Sequence, residues 1–125
     1  MCRVLVVDDE PLIRWSLAQT LTERGHLVVE TSDACSTRAT LGEGFDVVLL
    51  DYRLPDSDNL SLLASIRSQA PRTPVILMTA YGAPDVVRGA LELGAFRVIN
   101  KPFDMATVAD LVEQAHAGGP SAGTH

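Results

Sequence analysis

Short apolar runs alternate with helix-period segments along nearly the whole chain, and this alternation leaves few folds open. Arg3-Val4-Leu5-Val6-Val7, Leu27-Val28-Val29-Glu30-Thr31, Val47-Val48-Leu49-Leu50-Asp51, Val75-Ile76-Leu77-Met78 and Arg97-Val98-Ile99 read as strands, the last the weakest by pattern. A continuous branched apolar run, rather than an alternating one, marks a strand covered on both faces, as in a parallel sheet. Between the strands, Ile13, Leu17 and Leu21 repeat at helical spacing behind Pro11, which suits a first helical position because it has no N–H to leave unpaired. Ser32-Asp33 can cap a helix over Ala34–Leu41, which Gly42-Glu43-Gly44 breaks. Leu62, Leu63, Ile66 and Ala70 mark a third helix. Pro84 opens a fourth, with Val86, Val87, Ala90 and Leu91 expected inward. Asp104 can cap a fifth, whose stripe is Val108, Leu111, Val112 and Ala115. Strand then helix, five times over, predicts an α/β fold: a three-layer, doubly wound (βα)5 domain with one parallel five-stranded sheet. Trp15 lies off its helix's apolar stripe and reads as a packing or surface residue.

The 125 residues suit one domain large enough to fold without staples. The formal charge is 10 minus 16, or -6, so the chain gains nothing from releasing counterions from a phosphate backbone, and direct nucleic-acid binding is not expected. Cys2 and Cys35 are too few and too scattered for a disulfide framework or a zinc site, which makes a reducing cytoplasm the default. No apolar run approaches the ~20 residues of a membrane span, and the N-terminus opens on a strand rather than a signal peptide. From Gly118 onward the residues are small and helix-breaking, so the domain is expected over 1–117, with 118–125 a tail or the start of a linker.

Polar groups stand where the strands end. The first runs into Asp8, Asp9 and Glu10, the third into Asp51, the fourth into Thr79 and the fifth into Lys101. Each has an ordinary explanation alone, as a cap, a turn residue or a solvated charge. Together they would meet at the carboxyl edge of the sheet, where open α/β folds bind ligands. Carboxylates a few ångströms apart repel by ~4 kcal/mol per pair at an effective dielectric of 20, so something positive must join them. Lys101 supplies one charge. A hard divalent cation such as Mg²⁺ (or Mn²⁺), held by carboxylates and a phosphate oxygen, would supply the rest. Cation, ammonium, hydroxyl and carboxylate nucleophile are the parts needed for phosphoryl transfer to an aspartate.

The residues that carry this pattern resemble the receiver domain of two-component response regulators. Val-Leu-Val-Val-Asp8-Asp9-Glu10-Pro, Asp-Val-Val-Leu-Leu-Asp51-Tyr-Arg-Leu-Pro, Ile-Leu-Met-Thr79-Ala80-Tyr-Gly and Asn-Lys101-Pro102-Phe103 stand in that family's order and spacing, over roughly Cys2 to Ala117. The resemblance implies a flavodoxin-like sheet of order 2-1-3-4-5. It implies Asp51 as phosphoacceptor. Mg²⁺ would be held by Asp9, Asp51 and the backbone carbonyl of Arg53, with Asp8 acting mainly through water. Thr79, the Ala80 backbone and Lys101 would sense the phosphoryl group, and a cis bond would precede Pro102. The implied partners are a sensor histidine kinase as phosphohistidine donor and an output domain or partner protein, with a homodimer through the last helix and strand plausible. Ile13-Arg14-Trp15 and Gly94-Ala95-Phe96 resemble receivers that precede an ATPase activator of transcription. Such a domain catalyses its own phosphorylation and acyl-phosphate hydrolysis, and is not a turnover enzyme.

Two positions depart from the family pattern. Val98 occupies the switch position that usually carries Tyr or Phe, so the signal is expected to leave through the Tyr81–Leu93 segment. Asn59 stands where Gly is common, a compatible swap because Asn tolerates the left-handed conformation. Arg53 and Tyr81 flank the site and are expected to shield the acyl phosphate from water. Among other readings, an aspartyl phosphatase needs a second carboxylate two residues after the nucleophile, where this chain has Arg53. A dinucleotide or flavin module needs a glycine- or hydroxyl-rich phosphate loop, where the first turn here is acidic. A receiver-like interaction module that works without phosphate is the remaining alternative.

Overall fold

The computed structural model describes residues 2–56, 60–80 and 84–118. The strands are β1 (Arg3–Val7), β2 (Leu27–Thr31), β3 (Val47–Asp51), β4 (Val75–Thr79) and β5 (Arg97–Asn100). The helices are α1 (Pro11–Glu23), α2 (Ala34–Thr40), α3 (Leu60–Gln69), α4 (Pro84–Glu92) and α5 (Met105–Gly118), with a 3-10 turn at Leu41–Glu43. The strands form one parallel sheet of order β2-β1-β3-β4-β5. This is the flavodoxin-like (βα)5 arrangement expected. Asn59, the Tyr81 end of the segment expected to carry the signal, and positions 119–125 of the expected tail lie outside the described residues. Gly118, assigned to that tail, closes α5 instead.

Period-two alternation divides each central strand between two cores. Leu5, Val7, Val48, Leu50, Val75 and Leu77 point to one face and pack with Ala34 of α2, Leu62, Leu63 and Ile66 of α3, and Ala90 of α4. Val4, Val6, Val47, Leu49, Ile76 and Met78 point to the other and pack with Leu17 and Leu21 of α1 and Val108, Ala109, Val112 and Ala115 of α5. β3 and β4 are buried throughout, whereas the edge strands β2 and β5 are half open.

The helix ends follow their local chemistry. Asp33 accepts the Ser36 N–H at 2.7 Å and caps α2, and Asp104 accepts the Thr107 N–H at 3.2 Å and caps α5. Gly25 takes φ +89, which lets its own N–H and that of His26 close α1 onto Thr22 and Leu21.

One expected core residue is corrected. Leu91 is 49% exposed, while Ala90 is the buried residue of α4. A Cβ on Gly89 would stand 3.0 Å from Leu60 Cδ1. The helix therefore docks through its Gly89–Ala90 side, and Leu91, one residue and about 100° further round, is carried outward. Trp15 lies at the surface, 58% exposed.

Candidate functional site

The sheet register builds the site. Val7 pairs with Leu50, so Asp8 at the end of β1 falls beside Asp51 at the end of β3. Thr79 pairs with Asn100, which brings Ala80 and Lys101 to the same rim. Carboxylate oxygens of Asp8, Asp9 and Asp51 all lie within 4.8 Å of one another, and Asp8 and Asp51 are buried while Asp9 is exposed. Asp9, Glu10, Asp51, Arg53, Ala80 and Lys101 line a cavity of about 250 Å³ beside them. Thr79 is fully buried at the end of β4, and its carbonyl accepts the Lys101 N–H at 2.7 Å. The Lys101–Pro102 peptide is cis.

Lys101 is the cation that joins the carboxylates. Its ammonium lies 3.1 Å from Asp8 Oδ2, 3.3 Å from Asp51 Oδ1 and 2.8 Å from Glu10 Oε1. Asp8 Oδ1 accepts the Glu10 N–H at 2.9 Å. Asp8 Oδ2 is buried, and its charged partner is the Lys101 ammonium at 3.1 Å, which Asp51 and Glu10 share. Buried carboxylates that share a single ammonium remain costly unless further positive charge joins them. With three carboxylates converging on one point, the donor set suits a hard divalent ion.

The electrostatics agree with that geometry. Burial, and then the charge of Asp8, push the Asp51 carboxyl up to about 7, against the pull of Lys101 and the Arg53 N–H. Burial would lower the Lys101 pKa, but the bond to Glu10 and the charges of Asp51 and Asp8 outweigh it and raise it above the ordinary lysine value. One ammonium therefore leaves the acidic cluster undercompensated.

Over residues 4–113 the chain matches the family model of the response regulator receiver domain. The chain belongs to that family.

This receiver is 42% identical over 113 residues to the DNA-binding transcriptional regulator NtrC of Proteus hauseri, covering 90% of this chain and 24% of that protein. It is 39% identical over 117 residues to the response regulator protein PilR of Pseudomonas aeruginosa, covering 90% of this chain and 26% of that protein. Among solved structures, NtrX from Brucella abortus in complex with ADP superposes with a TM-score of 0.86 at 33% identity, over 93% of this chain and 27% of that one. A CheY-like response regulator receiver domain protein from Methanospirillum hungatei gives 0.88 at 28% identity, over 92% and 93%. The receiver thus spans about a quarter of the length of the NtrC and PilR regulators it matches.

Two side chains take roles at the site that the sequence did not assign. Glu10 stands with the polar groups at the end of the first strand, with no partner assigned to it. It occupies the N-cap position of α1 without a side-chain cap bond, and reaches across to Lys101. Arg14 donates to the Asp8 carbonyl at 2.7 Å and is braced by Glu30 at 3.3 Å, so it holds the turn that carries Asp8 and Asp9. Its position in the first turn of α1, on the side facing β2, was the available signal.

Proposed function

We propose that the receiver accepts a phosphoryl group on Asp51 from a phosphohistidine of a sensor kinase in the cytoplasm, and passes the change to an output domain or partner protein that controls transcription. The observation that carries this reading is the convergence of carboxylate oxygens of Asp8, Asp9 and Asp51 within 4.8 Å around one shared ammonium, that of Lys101. Asp8, Asp9, Asp51 and the Arg53 carbonyl would hold Mg²⁺, or Mn²⁺ in its place. The ion, when bound, screens the carboxylates from one another and from the incoming phosphoryl oxygens.

The remaining chemistry belongs to the chain's own groups. An Asp51 oxygen attacks phosphorus, forming a P–O bond as the P–N bond to the donor imidazole breaks. The electron pair leaves on the imidazole nitrogen, which takes up a proton. Lys101, freed from sharing its charge with Glu10, pairs with one equatorial phosphoryl oxygen. The Thr79 hydroxyl and the Ala80 N–H take others. The acyl phosphate is later lost when a water oxygen attacks phosphorus. The new P–O bond forms as the P–O bond to Asp51 breaks, and the electron pair returns to the Asp51 carboxylate. The water protons pass to the released inorganic phosphate and solvent, so the receiver returns to its starting state without turning over an external substrate. Val98 is half-buried against the α2–α3–α4 core and has no ring to turn. The signal therefore passes through α4, whose sole fully buried residue among those described is Ala90.

Incubation with acetyl phosphate or phosphoramidate and Mg²⁺ tests the reading. Intact mass should gain one phosphoryl group in the parent and none in Asp51→Asn. A parent that stays unmodified at saturating donor and Mg²⁺ rejects phosphoryl acceptance and leaves the phosphate-independent interaction module. Amide shifts that avoid α4 on phosphorylation would reject the output route.

A further inference from the structure

We propose that Asp56 is a positioning residue for the cation seat: by gripping the first turn of α2, its carboxylate holds the loop that carries Arg53 against the pocket. The inference rests on the phosphoryl-transfer reading above.

The loop after β3 begins at the site. Arg53 lines the cavity, and its N–H points to Asp51 Oδ1 at 3.4 Å. Three anchors follow within three residues. Leu54 is 8% exposed and belongs to the core under α2 and α3. Pro55 has a fixed φ. Asp56 then turns both carboxylate oxygens onto α2: Oδ1 accepts the Ala34 N–H at 2.7 Å and Oδ2 the Cys35 N–H at 3.0 Å.

These are successive N–H groups of a first helical turn, which no intrahelical carbonyl can reach. A helix start is ordinarily capped from its own preceding residue, and α2 already has that cap, since Asp33 takes the next N–H, that of Ser36. The second carboxylate comes from 22 residues away, out of the functional loop. It satisfies the two N–H groups that Asp33 leaves open, and does so from the loop rather than from solvent. Beyond that capping, it ties α2 to the loop that carries the Arg53 backbone. The Ala34 and Cys35 bonds also hold the Asp56 carboxyl below its ordinary range, so the clamp stays charged at neutral pH. A ligand carbonyl on a pre-set loop binds a cation more tightly than one that must first be ordered, because the ordering entropy is already spent in folding.

The test measures Mg²⁺ affinity by titration calorimetry beside the thermal midpoint, in the parent, Asp56→Ala, Asp56→Asn and Asp33→Ala. Asp56→Ala should weaken Mg²⁺ roughly ten-fold. Asp56→Asn, which keeps an acceptor oxygen, should recover part of that affinity. Asp33→Ala removes the local cap and one negative charge without touching the loop. It should lower the midpoint and leave Mg²⁺ affinity within about two-fold of the parent, as a positioning role for Asp56 alone requires. The inference is overturned if Asp56→Ala binds Mg²⁺ as the parent does. It is overturned equally if Asp33→Ala weakens binding as much, or if Asp56→Asn is no better than Asp56→Ala, since charge or helix fraying then explains the loss. A parent that binds no Mg²⁺ overturns the phosphoryl-transfer reading and this inference with it. A parent that binds and is phosphorylated while Asp56→Ala is unchanged overturns this inference alone.

Discussion

Helices α4 and α5 flank the same edge strand, β5, and are held in opposite ways. α5 buries Val108, Ala109, Val112 and Ala115 completely, and its outer side is tied to the α1–β2 corner. Arg24 meets Asp110 at 2.7 Å and Glu113 at 3.3 Å, and His26 meets Glu113 at 3.2 Å. The Cys2 N–H donates to His26 Nδ1 at 3.2 Å, so the ring proton sits on Nε2, facing Glu113. α4 buries Ala90 and leaves Leu91 exposed, as is Leu93 in the turn that follows it. A helix docked by one fully buried methyl group, a packed glycine and the half-buried Val86 and Val87 has little apolar area to lose when it shifts. A helix docked by four buried side chains has much more. The difference assigns fixed scaffold to α5 and movable surface to α4, and the strand between them, β5, runs into Lys101.

The largest expected effect tests that contrast directly. Val112→Ala should cost about 2–3 kcal/mol in urea or thermal unfolding, because it opens a cavity in a packed core. Leu91→Ala should stay within about 0.5 kcal/mol. Equal losses at the two positions would break the contrast.

Next in size is the strain at the site between them. Asp51→Asn should stabilise the metal-free domain at pH 8 by on the order of 2 kcal/mol, or several degrees in midpoint, by removing a buried charge beside Asp8. The sign follows from the raised carboxyl of Asp51, up to about 7 in the fold. Between the ordinary carboxylate range and that value the folded state holds more protons than the unfolded, so its contribution falls as pH rises through 7. The advantage of the variant should therefore shrink on acidification toward pH 4. Mg²⁺ should favour the parent instead. A variant no more stable than the parent at pH 8 would mean that Lys101 alone satisfies the cluster.

Native-state hydrogen exchange sharpens the picture further. Amides of α4 should open with a free energy on the order of 1–2 kcal/mol below those of α5. Uniform protection across both helices would place the movable element elsewhere.

The smallest effect concerns the tie on α5. Its bond from His26, and then those from Arg24, hold the Glu113 carboxyl below its ordinary value. Stability from such a group is present above the ordinary carboxylate pKa and lost as pH falls through the folded value. Glu113→Gln should cost roughly a few tenths of a kcal/mol at pH 7, as exposed ion pairs do, and the difference should close below about pH 4 or in high salt. A larger loss that salt does not touch would make His26–Glu113 a buried hydrogen bond rather than a surface pair.

Much of this was legible in the order of residues. Strand and helix periods, the caps Asp33 and Asp104, and the rim residues Asp8, Asp9, Asp51, Thr79 and Lys101 all lie on local pattern, which the chain carries without reference to the fold. The expectation for Leu91 fails because Val86, Val87, Ala90 and Leu91 offer two overlapping stripes, and the choice between them depends on where Gly89 meets Leu60, a residue of another helix. The roles of Glu10 and Arg14 are not legible for a related reason. Glu10 meets Lys101, just beyond β5, and Arg14 meets the Asp8 carbonyl and Glu30. A charge near a helix start looks the same whether it is solvated or engaged.

The sequence by itself determined the alternation of elements, the burial of the central strands and the chemical character of the rim, because these follow from side-chain period and polarity within each segment. Only the tertiary structure decided that Asp8 stands beside Asp51, that Glu10 shares Lys101 and that Asp56 grips α2 rather than water. Those contacts depend on strand register and on which helix covers which face, and both are settled by the packing of two whole cores against one sheet.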